Sequence, residues 1–358
     1  MGTYSGRIAG RGFPALPRVW ERMAKRMRRY GVLCAVLLLI MVVTPLLAMG
    51  ESSAQNPDSL SGGKTAASDQ NGSTGEEGTM KVLRASSNRV ETMSDLEYVI
   101  GAVSAEMPPT YHTEAIKAQA AACYTFALRS RNEQLKKPDE ALSGAYLNDD
   151  SSQHQGYISK EESKEKWGDK FDTYYKKISE ACEAVVGKAI VYDGEPIVAA
   201  FHAICSGQTE SAQVVWGKDL PYLQSVQSTG DRLSPDYAST LSLTKEQFST
   251  MAKKLDKVSL GDDAAKWFEK PETSKAGTVT SITIGGQKLT GQQVREAFGL
   301  RSACFTLEYK NDRFTFHVSG YGHCVGMSQY GADYMARQGS SWEEIVKHYY
   351  KGVEIREL

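Results

Sequence analysis

The chain has 358 residues, 41% of them hydrophobic and 24% charged, with a mean hydropathy of −0.40; that mixture excludes a wholly disordered chain and a multi-span membrane protein. Its net charge of −1 hides an uneven distribution: residues 1–30 carry eight Arg or Lys against Glu21, residues 31–50 carry no charge, and residues 51–80 and 81–358 each stand at −4. A mildly acidic body lacks the basic footprint that a polyanion requires, so nucleic acid is excluded as a partner.

From Val32 to Met49 the chain is apolar apart from Thr44 and Pro45. A helix of that length spans about 27 Å, close to the ~30 Å hydrocarbon core of a bilayer. The cluster Lys25-Arg26-Met27-Arg28-Arg29 precedes it, so the positive-inside rule predicts a basic cytoplasmic tail over 1–30, a single transmembrane signal anchor over 31–50, and an extracytoplasmic remainder. Ala48-Met49-Gly50 also loosely fits a signal-peptide cleavage site; the length of the apolar span favours a retained anchor. Residues 51–79 contain no aromatic, Val or Ile and cannot bury enough apolar surface to offset their ordering entropy. The stretch 51–80 therefore reads as a disordered linker, reaching ~30 Å as a random coil.

The body, 81–358, mixes helix and strand patterns without regular βαβ alternation and is predicted to be α+β, with no clear internal boundary. Leu96–Val103 is apolar-rich and runs into Glu106-Met107-Pro108-Pro109, where the prolines force a stop. Thr113–Ser130 reads as a helix from the spacing of Ile116, Ala120, Cys123 or Tyr124, and Ala127. A second helix is predicted over Phe171–Val186. Ala189–Tyr192 and Ile197–His202 read as strands joined through Asp193-Gly194, a hairpin whose loop Glu195-Pro196 would stretch. Thr278–Ile284 alternates as a strand and turns at Gly285-Gly286. Thr290 and Gln293 form a capping box for a short helix ending at Gly299. Cys304–Tyr309 and Arg313–Val318 form a hairpin turning at Asn311-Asp312, and Ser341 with Glu344 caps a last helix ending near Gly352.

Three segments carry residues that a core does not need. Tyr98–Pro108 places a lone carboxylate, Glu106, at the end of an apolar stretch beside Met107 and Pro108; desolvation there raises a carboxyl pKa and keeps a general acid protonated. Phe201–Glu210 runs from an apolar strand into small and polar residues, towards Trp216-Gly217 and Pro221-Tyr222-Leu223; backbone approaches a ligand at such a lip, and Trp216 and Tyr222 are candidates to stack on sugar faces. Gly320–Ala332 is a glycine-rich approach to a helix whose first turn offers Ser328 and Gln329, with free N–H groups that favour negative charge. It lacks the Lys-Ser/Thr of a phosphate-binding loop.

Read together, EYVIGAVSAEMP followed by EAIKAQAAA, FHAICSGQTESAQVVWG with PYLQSV, and GHCVGMSQYGADYMA with EEIVKHYYKGV resemble the SpoIID family, the stage II sporulation protein D type of peptidoglycan lytic transglycosylase. The motifs stand in family order from about residue 81 to the C-terminus. The resemblance implies cleavage of the β-1,4 bond between N-acetylmuramic acid and N-acetylglucosamine in peptide-stripped glycan strands, giving 1,6-anhydro ends, beside a cell-wall amidase and other engulfment proteins. It assigns Glu106 as the catalytic acid. The substrate contacts it suggests are Gln119, Tyr124, His202, Ser206, Glu210, His323, Ser328, Gln329 and Tyr330. It calls for no cofactor.

The sequence departs from the family pattern where KAQAAACYTF puts Tyr124 in place of the usual arginine, and where Cys324 and Cys205 replace small residues. Some clostridial relatives bind zinc after the first helix; over 147–155 this chain keeps only His154 as a ligand, too few for a closed site. Five cysteines lie beyond the apolar span, Cys123, Cys182, Cys205, Cys304 and Cys324, so at least one is unpaired within the chain. A Cys205–Cys324 disulfide and a set of five buried thiols are the competing expectations. In function, too, alternatives stand beside the enzyme: a catalytically weak relative that holds glycan or stimulates an amidase, which the loss of the arginine keeps open, and a metal-dependent hydrolase, for which no HExxH pattern exists.

Overall fold

The computed structural model of the chain describes residues 78–358 other than 151–153. The predicted tail, anchor and nearly all of the linker lie outside the described residues. Among the described residues no helix is long and apolar enough to cross a membrane.

The described body is an α+β unit. It opens with an antiparallel hairpin, β1 (Thr79–Arg84) and β2 (Arg89–Ser94), and the short strand β3 (Leu147–Asn148) pairs parallel to β1. Ser94 caps the helix α1 (Asp95–Glu106) by accepting from the Glu97 N–H. Met107 is extended and Pro108 follows, so α1 stops at Glu106. Helix α2 (Thr113–Lys136) runs one and a half turns further than its apolar periodicity predicts. Its last residues, Glu133-Gln134-Leu135-Lys136, are good helix formers with little to bury, so propensity and not packing extends it. Ala115, Ala118, Ala120, Ala121, Ala122 and Ala127 are all buried along α2, and their small side chains let neighbouring elements approach closely. Around it pack α1, α4 (Phe171–Glu183), the strand β4 (Lys188–Tyr192), and the C-terminal helices α8 (Gln329–Arg337) and α9 (Trp342–Tyr349). Between α2 and α4 lies the short helix α3 (Lys160–Trp167), closed by a capping box from Ser159 and Glu162.

The hairpin after β4 is tighter than its sequence suggests. Asp193 (φ 50°) and Gly194 (φ 83°) form a two-residue turn with both residues left-handed. Glu195-Pro196, taken above for loop, is the returning strand β5, with Tyr192 opposite Glu195. Residues 197–200 are then irregular, and β6 is only Phe201–His202, paired parallel to β13 (Met327–Ser328). The closing strand β14 (Glu354–Glu357) covers the other side of β4.

A second apolar core lies within the same body, where the sequence showed no boundary. It is built by β7 (Ala238–Thr244), α6 (Lys245–Ala252), β9 (Val279–Ile284), β10 (Gln287–Leu289), α7 (Gly291–Phe298), β11 (Phe305–Lys310) and β12 (Arg313–Ser319). The capping box at Thr290 and Gln293, the left-handed Gly299, and the turn at Asn311-Asp312 form as predicted; β7 and α6 were not foreseen. Strand β7 pairs with β12 along its whole length, with Leu241 and Leu243 opposite Phe316 and Phe314. Phe248 sits at the centre of this core, its ring 4.0 Å from Phe314 and 4.9 Å from Phe298, centroid to centroid. Phe248→Ala is expected to cost about 3–5 kcal/mol. Native-state hydrogen exchange should then accelerate over 238–319 while α2 keeps its protection; equal acceleration of both would show that the two cores open as one.

Candidate active site

Glu106 is the last residue of α1, where its side chain is largely withdrawn from water. Burial raises its pKa, opposed by the Gly156 N–H and by the Lys166 ammonium. The position adds to that effect, because a helix C-terminus carries partial negative charge. Gly156 N–H donates to Glu106 Oε1 at 2.5 Å, and Oε2 has no hydrogen-bond partner among the described residues. A Cβ on Gly156 would lie 2.9 Å from Oε1, and one on Gly101 would lie 2.3 Å from the Tyr157 ring. The two glycines thus let the loop bearing Gly156 and Tyr157 close on α1. Lys166 Nζ donates to the Ser104 and Ala105 carbonyls at 2.9 and 3.3 Å, satisfying the end of the helix.

The glycine-rich segment reaches the same helix end. Gln329 Nε2 donates to the Glu106 carbonyl at 3.1 Å and to Gln119 Oε1 at 3.2 Å, and Gln119 Nε2 in turn donates to Cys123 Sγ at 3.3 Å. The loop after Glu106 is pinned to α8: Asp333 accepts from the His112 N–H at 2.6 Å and holds Arg337. Lys177 binds the carbonyls of Pro109 and Tyr111. Tyr330 stands edge-on to Tyr111, with ring centroids 6.2 Å apart. Glu106, Gln119, Gln329 and Tyr330 therefore form one neighbourhood.

His202 and His323 form another, with ring centroids 5.6 Å apart and Trp216 5.4 Å from His323. His202 Nδ1 donates to the Val325 carbonyl at 3.0 Å, and its buried Nε2 has no partner among the described residues. Burial, helped by the neighbouring His323, lowers the His202 pKa to about 3; burial and Arg295 lower that of His323 to about 4. Both rings are neutral near pH 7. Glu210 is 3% exposed. Its Oε1 accepts from the Ser211 N–H at 3.0 Å, its Oε2 accepts from Ser274 Oγ, and its own N–H donates to Cys324 O at 2.6 Å. The carboxylate is thus engaged in fixing backbone and a neighbouring hydroxyl.

Other residues named from the sequence have structural partners. Ser328 is the N-cap of α8 and donates to Asp231 Oδ1 at 2.6 Å. Asp231, absent from the sequence-derived set, is fully buried and also accepts from Cys205 Sγ at 2.8 Å. Burial raises its pKa against hydrogen bonds from Cys205, Ser328 and Ser228. Ser228 joins the Tyr349 hydroxyl at 2.6 Å. Ser206 Oγ donates to the Ala276 carbonyl. Tyr124 is 3% exposed in the main core, and the charges that perturb it are Asp95 and Arg131, near the start of α1 and not its end. Tyr222 is likewise buried against Tyr192, its hydroxyl accepting from the Val198 N–H. His154 Nδ1 lies 3.0 Å from Asn148 Oδ1.

The five described cysteines are all free and buried, so the structure contains no Cys205–Cys324 bond. Cys205, Cys304 and Cys324 do cluster, but the Cys205 thiol donates to Asp231 and the Cys324 thiol to the Gly322 carbonyl. Gly156, Ser274 and Asp231 are the partners that sequence reasoning missed. Each meets its site residue across 50 or more positions or stands in no motif, so only the three-dimensional contact discloses it.

Removing the Asp231 carboxylate takes the acceptor from the Cys205 thiol and leaves Ser328 and Ser228 with only their contacts to the Ala203 carbonyl and the Tyr349 hydroxyl. Asp231→Ala is expected to destabilise the protein by about 2–3 kcal/mol, measured by chemical denaturation. A loss under 1 kcal/mol would show that the network is dispensable.

The stretch 84–192, which includes Glu106, Gly156 and all of α2, matches the SpoIID family, described as "Stage II sporulation protein". The chain is 39% identical over 338 residues to stage II sporulation protein D of Bacillus subtilis (strain 168), covering 91% of this chain and 94% of that protein. It is 37% identical to stage II sporulation protein D of Bacillus amyloliquefaciens, with the same coverage of both chains. A more distant relative is the "Amidase enhancer" of Bacillus subtilis (strain 168), 25% identical over 71% of this chain and 40% of that protein. With its motifs, its coverage and its identity to these relatives all in agreement, the chain belongs to the SpoIID family of sporulation proteins.

Proposed function

We propose that the protein is a membrane-anchored lytic transglycosylase of the cell wall, acting outside the cytoplasmic membrane on peptide-stripped glycan during sporulation. The observation that supports this reading best is the state of Glu106: a carboxyl with raised proton affinity, one oxygen fixed by a backbone N–H and the other without a partner among the described residues.

In this reading the protonated Glu106 gives its proton to the glycosidic oxygen between N-acetylmuramic acid and N-acetylglucosamine. The bond to the anomeric carbon breaks as positive charge develops there. The C6 hydroxyl of the muramic residue forms the new bond to that carbon, and the Glu106 carboxylate takes the hydroxyl proton. The product is a 1,6-anhydro ring, and the acid is restored. An internal nucleophile removes the need for a second carboxylate to position water, and its effective concentration is high. That fits a site in which Glu210 is fully engaged by Ser211 and Ser274. Gln119 and Gln329 then act by holding the end of α1. The burial of Tyr124 takes the residue at the family's arginine position out of direct contact with a glycan.

A second reading has one observation in its favour, the relation to a protein named for enhancing an amidase. In it the chain binds stripped glycan and stimulates a cell-wall amidase without cutting sugar. Mass spectrometry of peptide-free glycan incubated with the protein separates the two. The enzyme reading expects 1,6-anhydro ends, reduced at least about 100-fold by Glu106→Gln. Because the proton must be present on Glu106 and its pKa is raised, cleavage should fall as pH rises through that pKa, at a pH above the ordinary glutamate range. Amidase stimulation that survives Glu106→Gln, with no anhydro product from the parent, establishes the second reading instead.

A further inference from the structure

An open cleft of about 790 Å³ lies beside the two histidines; its walls include Trp216, Arg295, Glu296, Arg301, Tyr321 and His323, two cations against one acid. Its volume falls within the ordinary range of ligand sites. Trp216 and Tyr321 are 38% and 46% exposed, rare among the large apolar side chains of this body. They come from two separate signature segments, at the end of the helix Ala212–Trp216 and in the loop after β12. Each ring is held in place. Trp216 leans on His323 at 5.4 Å, and the Arg301 guanidinium lies 5.2 Å from the Tyr321 centroid while pairing with Asp236. Two oriented aromatic faces exposed in the wall of one cleft suit stacking on an amphipathic ring.

Arg295 supplies the polar half. Its Nε donates to the Leu300 carbonyl and its Nη1 to Gln292 Oε1, both at 3.4 Å, which leaves Nη2 without a partner among the described residues. Gln292 Nε2 donates to Glu296 Oε1 at 2.7 Å, and Glu296, which also lines the cleft, makes no ion pair with Arg295. Among the described residues no carboxylate pairs with Arg295. An oriented guanidinium with a free edge suits a carboxylate.

The cleft is tied to the Glu106 site by one short stretch of chain. His323 lines the cleft and Gln329 binds the Glu106 carbonyl. Six positions separate them, a backbone span of at most about 22 Å, which is the length scale of a glycan of a few rings.

We propose that this cleft is an accessory glycan subsite in which Trp216 and Tyr321 stack on pyranose rings and Arg295 binds the lactyl carboxylate that muramic residues expose once their peptide is gone. The inference rests on the reading of peptide-stripped glycan as substrate, and it assigns specificity to residues remote from the reacting bond. A stem peptide joined to that carboxylate turns it into a neutral amide, which loses the charge that Arg295 recognises.

The test measures binding to the full-length chain in detergent, in a Glu106→Gln background so that nothing is cut. The probes are a peptide-free muramic-acid tetrasaccharide, the same tetrasaccharide with its lactyl groups converted to methylamides, and chitotetraose. The background protein should prefer the acid to the amide. Arg295→Gln should weaken acid binding about tenfold while leaving amide and chitotetraose binding unchanged, and that unchanged binding shows that the variant is folded. Trp216→Ala should weaken all three, and Trp216→Phe should restore them. Discrimination between acid and amide that persists in Arg295→Gln overturns the assignment of the carboxylate, and full affinity in Trp216→Ala overturns the subsite. Cleavage by the parent protein is assayed separately: loss of anhydro products with discrimination intact removes the enzyme reading and leaves the subsite standing.

Discussion

A carboxyl group on the last residue of a buried helix is opposed twice, once by the loss of water around it and once by the negative end of the helix. Glu106 occupies that position, and several distant parts of the chain converge to keep it there. Gly156 approaches from a loop 50 residues later and gives one N–H to one oxygen. Lys166 closes the helix carbonyls from α3, and Gln329 arrives from the C-terminal signature to hold the carbonyl of Glu106 itself. Each contact fixes the group without donating enough to it to abolish the effect of burial. The result is a carboxyl that favours its proton, with one oxygen unengaged. The same environment stabilises the folded protein most at low pH, and that contribution is lost as pH rises through the raised pKa of Glu106.

The signature segments divide their labour between chemistry and architecture more unevenly than their residue types suggest. Ser328 looks like a ligand-binding hydroxyl in a glycine-rich loop, yet it caps α8 and feeds a buried aspartate. Glu210 looks like a second catalytic carboxylate, yet its oxygens hold Ser211 and Ser274. Cys324 replaces a small residue at a left-handed position, φ 65°, a conformation that glycine adopts at lower cost. The cysteine packs against Cys304 and Cys205, so the strain is offset by apolar contact and not by a covalent bond.

Much of the body was legible in the sequence where local rules act. Capping boxes at Thr290 and Ser341, the turn at Asn311-Asp312 and the stop before Pro108 each depend on residues within four positions of one another, and each forms as read. Glu106 stood out because an apolar run ended in a lone acid. What escaped was non-local. Asp231 sits in a polar stretch with no pattern to mark it as buried, and only the contacts with Cys205 and Ser328 give it a function. Strand β7 is defined by pairing with β12, some 75 positions away. Of the predicted Ile197–His202 strand only Phe201–His202 forms, because a two-residue turn at Asp193-Gly194 used Glu195-Pro196 as its return and residues 197–200 are irregular before the chain pairs with β13. Tyr124 and the cysteines were placed by analogy with family positions, and analogy does not say which way a side chain points.

The claim on which this account turns is that Glu106 keeps its proton beyond the ordinary range of a glutamic acid. Infrared difference spectra of the parent protein against Glu106→Gln, recorded across a pH series, isolate the carbonyl stretch of that one protonated carboxyl. The account predicts a band that persists above the pH at which an exposed glutamate has ionised and then disappears in a single titration. A band already lost at or below that pH would contradict it.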